Sequence, residues 1–336
     1  MGVTRKEIET RRGVRFRCCR DGAAVWDRTV RVEHELKVGA VPDQVWALAR
    51  GPAALSAMPG WFAFGVPAEV TGTDRLCCLI TANRAMTCAM VDVAQEIDAQ
   101  MICWQARSTR AVGNQAFTIG VLPRPGGSTL RLSISNVVLR PDVAWAEVFW
   151  GAKVRSWARS LREIAEGRVA WPGTGMPAGM QEKCSAFRPL KKPVQASAAA
   201  VIHAPAAVVW EAVSNPESSL DPARTAYAGR VPGTPERMTG GMEYAVRRRP
   251  DGRLTADVGV VTEFVEGVSA VTRTIASRPL EVSYLVTPVA DGTRLEFVCR
   301  WPSRMEKSEG KEFAPAMVIS LKNTVEKYRA LIEEQA

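Results

Sequence analysis

One hydrophobic pattern occurs twice in this chain. The stretch Val201–Val213 (VIHAPAAVVWEAV) passes from an apolar strand end through a proline into a helix with a Val-Trp pair on one face. The stretch Val38–Ala49 (VGAVPDQVWALA) has the same order about half a chain earlier. The repetition predicts that one domain is present in two copies.

The pattern after the first copy predicts a run of strands bracketed by helices. Alternating or continuous apolar segments predict strands at Thr29–Val38, Trp61–Val66, Arg75–Thr81, Met86–Ile97, Met101–Arg107, Gln115–Leu122 and Thr129–Val138. Helical spacing predicts helices at Pro42–Arg50, Ala53–Ala57 and Asp142–Gly167.

The second half repeats this order. Its predicted strands are Val194–Ile202, Thr225–Val231, Met242–Arg248, Leu254–Val265, Ser269–Ser277, Leu280–Pro288 and Thr293–Trp301. Its predicted helices are Pro205–Ser214, Glu217–Leu220 and Pro315–Glu334.

The two copies and the segments around them divide the chain into four parts. Residues 1–27 are an extension without clear periodicity, and residues 169–191 are a Gly- and Pro-rich linker. The predicted domains are residues 28–168 and 192–336. We expect these two domains to pack on each other.

Charge is distributed unevenly between the copies. The chain has a formal net charge of +9, whereas residues 192–336 contain equal numbers of Lys/Arg and Asp/Glu. Aromatic residues are not interleaved with the basic positions, so nucleic acid is not an expected partner. No apolar run approaches the length of about 18 residues that crosses a bilayer, so no integral membrane segment is expected.

The sequence contains few of the histidine and cysteine patterns that form the active sites of most hydrolases and the ligand sets of metal sites. The eight cysteines include no Cys-x-x-Cys pair, and His34 and His203 are the two histidines. The usual zinc patterns and the Gly-x-Ser-x-Gly elbow are absent from the sequence, and so is the dinucleotide fingerprint. We therefore predict no metal and no cofactor. Reduced, buried thiols suit a cytoplasmic protein, and the N-terminus lacks the apolar core of a secretory signal.

Several local motifs resemble those of a known superfamily. The proline and Val-Trp openings, together with Met58-Pro59-Gly60, resemble the START-like helix-grip superfamily, also called SRPBCC. That superfamily contains polyketide cyclases/dehydrases and lipid-transfer proteins. Ser214–Glu217, Arg230–Pro235 and Glu243 look like its actinobacterial members, and the tandem layout is similar to di-domain aromatase/cyclases of aromatic polyketide pathways.

The element order and the resemblance imply the same fold class. We expect an α+β protein of two tandem helix-grip domains. Each has a curved antiparallel sheet wrapped around a long C-terminal helix, with short helices after the first strand. A space between sheet and helix suits a small apolar ligand.

Candidate site residues are the polar and aromatic side chains nearest to that expected space. Arg107, Arg273 and Tyr227 are the candidate catalytic residues, since a buried guanidinium requires an anionic partner such as an enolate oxygen or a carboxylate. The candidate ligand-binding residues are Trp61, Trp104, Asn136, Trp150, Trp157, Tyr244, Tyr284, Trp301 and Tyr328.

Three functions remain open at this stage. The first is binding of a hydrophobic, ring-containing small molecule. The second is a cofactor-independent polyketide aromatase/cyclase or dehydrase, which orients its substrate and transfers protons. The third is a protein-interaction module. A filled core in both domains would favour the third, and a cavity with convergent polar side chains would favour the second.

Overall fold

The structure is a computed structural model. It describes residues 28–68, 75–82, 85–107, 115–138, 142–170, 175–185, 190, 192–219, 225–249, 252–275, 280–303, 305 and 313–334. The predicted extension 1–27 lies outside the described residues.

Domain 1 is built on a seven-stranded antiparallel sheet with the order β1-β7-β6-β5-β4-β3-β2. Its strands are β1 (Arg28–Val38), β2 (Trp61–Val66), β3 (Arg75–Ala82), β4 (Ala85–Ile97), β5 (Met101–Arg107), β6 (Gln115–Arg124) and β7 (Gly127–Val138). Its helices are α1 (Pro42–Arg50), α2 (Pro52–Ser56) and the long α3 (Val143–Ala165).

Domain 2 repeats this topology, with the order β8-β14-β13-β12-β11-β10-β9. Its strands are β8 (Pro193–Ile202), β9 (Thr225–Arg230), β10 (Met242–Arg248), β11 (Leu254–Val265), β12 (Ser269–Thr274), β13 (Glu281–Val289) and β14 (Gly292–Pro302). Helix α4 (Ala178–Ser185) precedes it, and α5 (Ala206–Ser214), a 3-10 turn (Pro216–Ser219) and the long α6 (Phe313–Glu333) belong to it.

This is the expected tandem α+β helix-grip architecture. In each domain the apolar side of the long helix packs on one side of the sheet, through Val154, Trp157 and Leu161 of α3 and through Leu321, Val325 and Tyr328 of α6. Predicted element ends coincide with the observed ones or differ from them by one or two residues, except that β12 ends at Thr274 where the prediction extended it to Ser277. Sequence reasoning missed helix α4, because its short Ala178–Ser185 segment has no apolar face to signal it. The predicted domain limits at 168 and 192 stay predictions.

The duplication is visible in matched hydrogen bonds at the start of each domain. The backbone N–H of Gly39 donates to the Glu166 carboxylate over 2.8 Å, and that of His203 donates to the Glu333 carboxylate over 3.0 Å. Each bond ties the end of a first strand to the C-terminal end of a long helix. His203 therefore has a structural position that a glycine occupies in domain 1.

The hairpin between the last two strands of each domain shows the same correspondence. Gly127 and Gly292 have φ angles of 147° and 137°. A Cβ atom at either residue would lie 2.2 Å from the carbonyl oxygen that ends the first strand. Only glycine allows this approach of two backbones.

The two domains contact each other through the sides of their sheets that face away from the long helices. The buried interdomain cluster includes Phe62 and Phe64 of β2, Tyr244 of β10 and Val258 of β11. The Phe64 and Tyr244 rings meet edge to face with centroids 4.8 Å apart. The Cys88 thiol donates to the Ala256 carbonyl over 2.8 Å. The parts of β2–β4 and β9–β11 that meet the other domain are therefore buried on both sides.

Candidate functional site

The space between sheet and helix in domain 1 is filled by aromatic side chains. Trp61, Trp104 and Trp157 are all buried there together with Phe117. Phe117 contacts Trp61 edge to face at 5.0 Å and Trp157 at 6.2 Å between ring centroids. The structure thus brings three predicted ligand-binding tryptophans together, as a packed core.

Hydrogen bonds hold two of these rings to the short helices. The indole N–H of Trp104 donates to the Ala49 carbonyl over 3.2 Å, and that of Trp157 donates to the Ala54 carbonyl over 2.6 Å. Both carbonyls lie near the ends of α1 and α2, so the short helices and the aromatic core position each other. Trp150, also predicted, packs partly buried beside this core.

Two amide side chains lie together on the helix-facing side of the same sheet. Gln115 on β6 is directly opposite Asn136 on β7, and their exposed fractions are 3% and 9%. Among the residues that the structure describes, neither the Gln115 Oε1 atom nor the Asn136 Oδ1 atom has a hydrogen-bond partner. A buried acceptor without a donor is unfavourable, so this pair is a position where a donor group could bind.

Replacing Asn136 with leucine is expected to stabilise the protein. Leaving a buried acceptor unpaired costs about 1–3 kcal/mol, and an apolar side chain of similar size removes that cost. Urea unfolding monitored by tryptophan fluorescence measures the change. Gln95→Leu, at an exposed position of β4, is the matched control and should change stability by less than about 0.5 kcal/mol. A destabilised Asn136→Leu variant would show that the amide already has a partner.

The helix-facing side of domain 2 contains a polar pocket. It lies between β9–β13, the end of α5 and the loop from Pro232 to Gly241, which we call the pocket loop. Its lining residues include Ser214, Arg230, Arg237, Glu243, Phe264, Thr272 and Tyr284. The enclosed cavity measures about 10 Å³, which is room for about one water molecule.

Strand alternation places the charged residues in this pocket. Arg230 on β9 pairs directly with Glu243 on β10, so their side chains share one side of the sheet. Tyr244, the next residue, points to the interdomain cluster. Domain 2 therefore carries opposite charges on the helix-facing side of its sheet, where the corresponding strands β2 and β3 of domain 1 present apolar side chains such as Ala63 and Leu76.

The Glu243 carboxylate is held in an environment that favours its protonated form. Burial raises the pKa of Glu243 above its usual value, and the nearby Arg230 guanidinium opposes that shift only in part. Arg230 itself lies 3.9 Å from the exposed Glu236. Burial likewise raises the pKa of Tyr284 and of Tyr328, and the Glu243 charge adds to both shifts. A carboxyl group with a raised pKa can accept or donate a proton at higher pH than an exposed carboxyl group does.

An aromatic wall borders the polar groups. Trp210 contacts Phe264 at 5.4 Å and Tyr284 at 5.7 Å, and Phe297 stacks on Tyr328 at 5.7 Å between centroids. The predicted residues Tyr284, Tyr328 and Trp301 all belong to this side of domain 2, and Trp301 is fully buried against Phe313. Of the three, Tyr284 lines the pocket.

Other predicted site residues lie elsewhere. Tyr227, Tyr244 and Arg273 point away from the long helix, into or beside the interdomain cluster, so the expectation that they line the sheet–helix space is corrected. The reason is alternation: Ala270 is opposite Tyr284, so Thr272 rather than Arg273 shares its side of the sheet. Arg107 ends β5 opposite Met90, and its side chain lies outside the described residues.

Sequence reasoning did not select Glu243, Arg230 or Arg237 as functional residues. Glu243 and Arg230 appeared only within motifs that carried the resemblance. The sequence feature that could have identified Glu243 is a charged residue near the start of the strand MEYAVRR. Glu243 comes directly before Tyr244, so its side chain lies on the other side of the strand.

A second, more open depression lies on the surface of domain 1. It has a volume of about 510 Å³ and is lined by α1, the end of α3 and the segment from Gly167 to Ala170. It lies outside the sheet–helix space and contains no charged lining residue.

Metal-ligand clusters and membrane-spanning helices are absent from the described part of the chain. No group of three or more His, Cys, Asp or Glu residues that could hold a metal ion occurs there. No helix in the same residues is long and apolar enough to cross a membrane.

Comparison with known proteins yields structural likenesses alone. No protein-family model and no curated protein matches the chain. The di-domain ARO/CYC BexL from the BE-7585A biosynthetic pathway is 17% identical, with 90% of this chain and 98% of that chain covered and a TM-score of 0.35. The di-domain ARO/CYC StfQ from the steffimycin biosynthetic pathway is 11% identical, with coverages of 90% and 99% and a TM-score of 0.34. A START superfamily protein from Mycobacterium smegmatis is 12% identical, covers 41% of this chain and 99% of its own, and has a TM-score of 0.36. At these identities and TM-scores, the functional argument rests on the geometry of the pocket.

Proposed function

We propose that domain 2 binds a small, ring-containing hydrophobic molecule that carries a polar oxygen. The observation that supports this is the lining of the pocket, in which Arg230 and Glu243 lie with the aromatic side chains of Phe264 and Tyr284. Its volume of about 10 Å³ admits a ring only after the pocket loop opens, and a pocket that stays closed would favour the protein-interaction alternative instead. The aromatic wall suits a planar ring, and the charged pair suits a hydroxyl, carbonyl or enolate oxygen.

The described Cys77, Cys78, Cys88 and Cys299 are buried free thiols, which supports the expectation of a reducing, cytoplasmic compartment.

Domain 1 is proposed to support domain 2 and to provide a secondary contact for ligand. Its core is closely packed around the buried Trp104 and Trp157, which favours a scaffold role. The amide oxygens of Gln115 and Asn136, which have no hydrogen-bond partner among the described residues, are its remaining candidate for ligand contact. The ligand role of Asn136 therefore stays a proposal.

Binding of 1-naphthol and 1-naphthoate measures this function directly. We expect saturable binding by calorimetry to the full-length protein, and weaker binding by Thr272→Trp, which fills the pocket. Thr287→Trp, at an exposed position of β13 on the side of the sheet away from Tyr284, is the matched control. Native mass spectrometry of freshly purified protein should reveal a co-purifying small molecule. Equal binding by the two variants, or none by the wild type, would contradict the proposal.

A second candidate function is proton transfer, and the position of Glu243 favours it specifically. Its carboxylate has a raised pKa, lies opposite a guanidinium and faces Tyr284. These groups could take a proton from a carbon next to a carbonyl while Arg230 stabilises the enolate oxygen. Such a step is what a cofactor-independent cyclase or dehydrase acting on a polyketone requires.

Exchange of the acidic hydrogens of a cyclic 1,3-diketone in D₂O tests this candidate. NMR follows the loss of the hydrogen signal, and the wild-type protein is expected to accelerate it over an equal concentration of free acetate and buffer. Exchange at the uncatalysed rate would reject the proton-transfer role and leave the binding role standing.

A further inference from the structure

The pocket is closed in this structure by the pocket loop, Pro232–Gly241. Pro235, Arg237 and Gly241 from this loop line the pocket. Because the enclosed cavity holds about one water molecule, a ring-containing ligand can enter only when the loop moves. The contacts that hold the pocket loop in place therefore control the access of ligand to the pocket.

On the side of the pocket loop that faces the pocket, hydrogen bonds from Arg237 hold the loop against the rest of domain 2. Its guanidinium contacts the Glu211 carboxylate at 2.8 and 3.1 Å, the Ser214 hydroxyl at 3.1 Å and the Glu266 carboxylate at 3.2 Å. Glu266 also accepts the indole N–H of Trp210 over 2.7 Å. Arg237 has a φ of 48°, a backbone conformation that residues other than glycine rarely adopt.

On the other side, the interdomain linker holds the loop. The backbone N–H of Met176 donates to the Pro232 carbonyl over 3.1 Å, and the Gln181 amide donates to the Gly240 carbonyl over 3.5 Å. At Gly233 the two backbones touch, because an added Cβ atom would lie 2.3 Å from the Cα atom of Gly175. Gly233 also has a φ of 76°.

The linker is itself anchored between the domains. Met176 and Met180 are buried in the interdomain cluster with Phe62 and Phe64 of domain 1 and Met242 of domain 2. Met242 follows the pocket loop directly and precedes Glu243. The loop, the linker and the domain interface therefore form one continuous set of contacts that ends at the pocket.

We propose that the linker segment Gly175–Gln181 positions the pocket loop, so that opening of the domain 2 pocket is coupled to the contact between the two domains. This inference rests on the proposed function for its purpose, although the coupling can be measured without any ligand. Domain 1 would act on ligand access through Met176 and Met180 while contributing no side chain to the pocket.

Amide hydrogen exchange on the full chain tests the coupling, with two glycines as a matched pair. Gly233→Ala introduces left-handed backbone strain and a steric clash with the linker. Gly252→Ala introduces similar strain at a φ of 77°, with nothing within 4 Å of the new Cβ atom. We expect Gly233→Ala to accelerate exchange about fivefold or more both in the pocket loop and at the Met176 amide. Gly252→Ala should leave both unchanged.

Met180→Ala provides an independent variant in case Gly233→Ala does not fold. It loosens the linker from the interdomain cluster at a site outside the pocket loop, and we expect faster exchange in the loop as well as in the linker. Exchange that accelerates in the linker alone would overturn the coupling, and so would equal effects of Gly233→Ala and Gly252→Ala.

Stopped-flow binding of 1-anilinonaphthalene-8-sulfonate separates this proposal from the proposed function. If the loop gates the pocket, the association rate should rise severalfold in Gly233→Ala and Met180→Ala and stay at the wild-type value in Gly252→Ala. An unchanged rate in the first two variants would contradict gating. If the wild type binds neither this probe nor 1-naphthol, the proposed function fails, and the exchange experiment still decides the coupling.

Discussion

Replacing Glu243 with glutamine is expected to lower the rate of proton exchange from a bound 1,3-diketone by about 10²–10⁴-fold. Glutamine keeps the size of the side chain and one acceptor oxygen but cannot accept a proton. Binding of 1-naphthol should change far less, because the ring contacts with Phe264 and Tyr284 remain. Glu263→Gln, at an exposed position of β11, is the matched control and should leave both quantities unchanged.

The pH dependence of the same variant follows from the raised pKa of Glu243. If the carboxylate is the base, the wild-type rate should rise with pH through the raised pKa and then level off, and the Glu243→Gln rate should be flat. A variant that retains the wild-type profile would contradict the assignment of Glu243 as the proton acceptor.

The stability of the folded protein should change with pH in the opposite direction to the exchange rate. Because burial raises the folded-state pKa of Glu243 above its unfolded value, the folded state binds more protons between the two values. The free energy of unfolding therefore falls as pH rises through that window, and the loss is complete above the folded-state pKa. Glu243→Gln should be more stable than the wild type at neutral pH, and the difference should vanish below the ordinary pKa of a glutamate. Thermal melts of both proteins at a series of pH values measure this.

Replacing Trp157 with alanine is expected to destabilise domain 1 by about 3–5 kcal/mol. The side chain is fully buried, contacts Phe117, and donates the hydrogen bond that pairs the Ala54 carbonyl. Its loss creates a large cavity and also leaves a buried acceptor unpaired. Urea unfolding should show an early transition for domain 1 and a little-changed one for domain 2.

Trp145 on the same helix is the matched control for Trp157. Its side chain is 47% exposed, so Trp145→Ala should change stability by less than about 1 kcal/mol. Equal effects of the two substitutions would mean that the sheet–helix space of domain 1 is not a packed core. In that case a ligand role for the predicted tryptophans would regain support.

The arrangement of elements could be predicted well from the sequence, because each signal is local. Trp61–Val66 and Met242–Arg248 were predicted at their observed limits from apolar segments between turn residues. The long helices were found from stripes such as Val154, Trp157 and Leu161. The duplicated sequence pattern of a proline followed by Val-Trp predicted two copies of the domain, since it marks the turn from the first strand into the short helices.

The site was harder to predict, because strand alternation identifies two sides without saying which one faces the helix. In β2–β4 and β9–β11 both sides are buried, one against the domain's own helices and one against the other domain. The usual apolar and polar alternation is lost in such strands. Tyr227, Tyr244 and Arg273 therefore lie on the side away from the long helix, whereas Tyr284, on a strand farther from the interface, lines the pocket, and its ligand role stays a proposal.

The sequence by itself determined two copies of an α+β domain, their element order and most element limits, since these depend on residue periodicity within short segments. The tertiary structure alone decided that the first copy is filled with tryptophan and that the second keeps Arg230 and Glu243 beside an aromatic wall. It also decided that a linker without a helical pattern lies against the pocket loop. These features depend on contacts between residues far apart in the chain, such as Gly175 with Gly233, which no local pattern records.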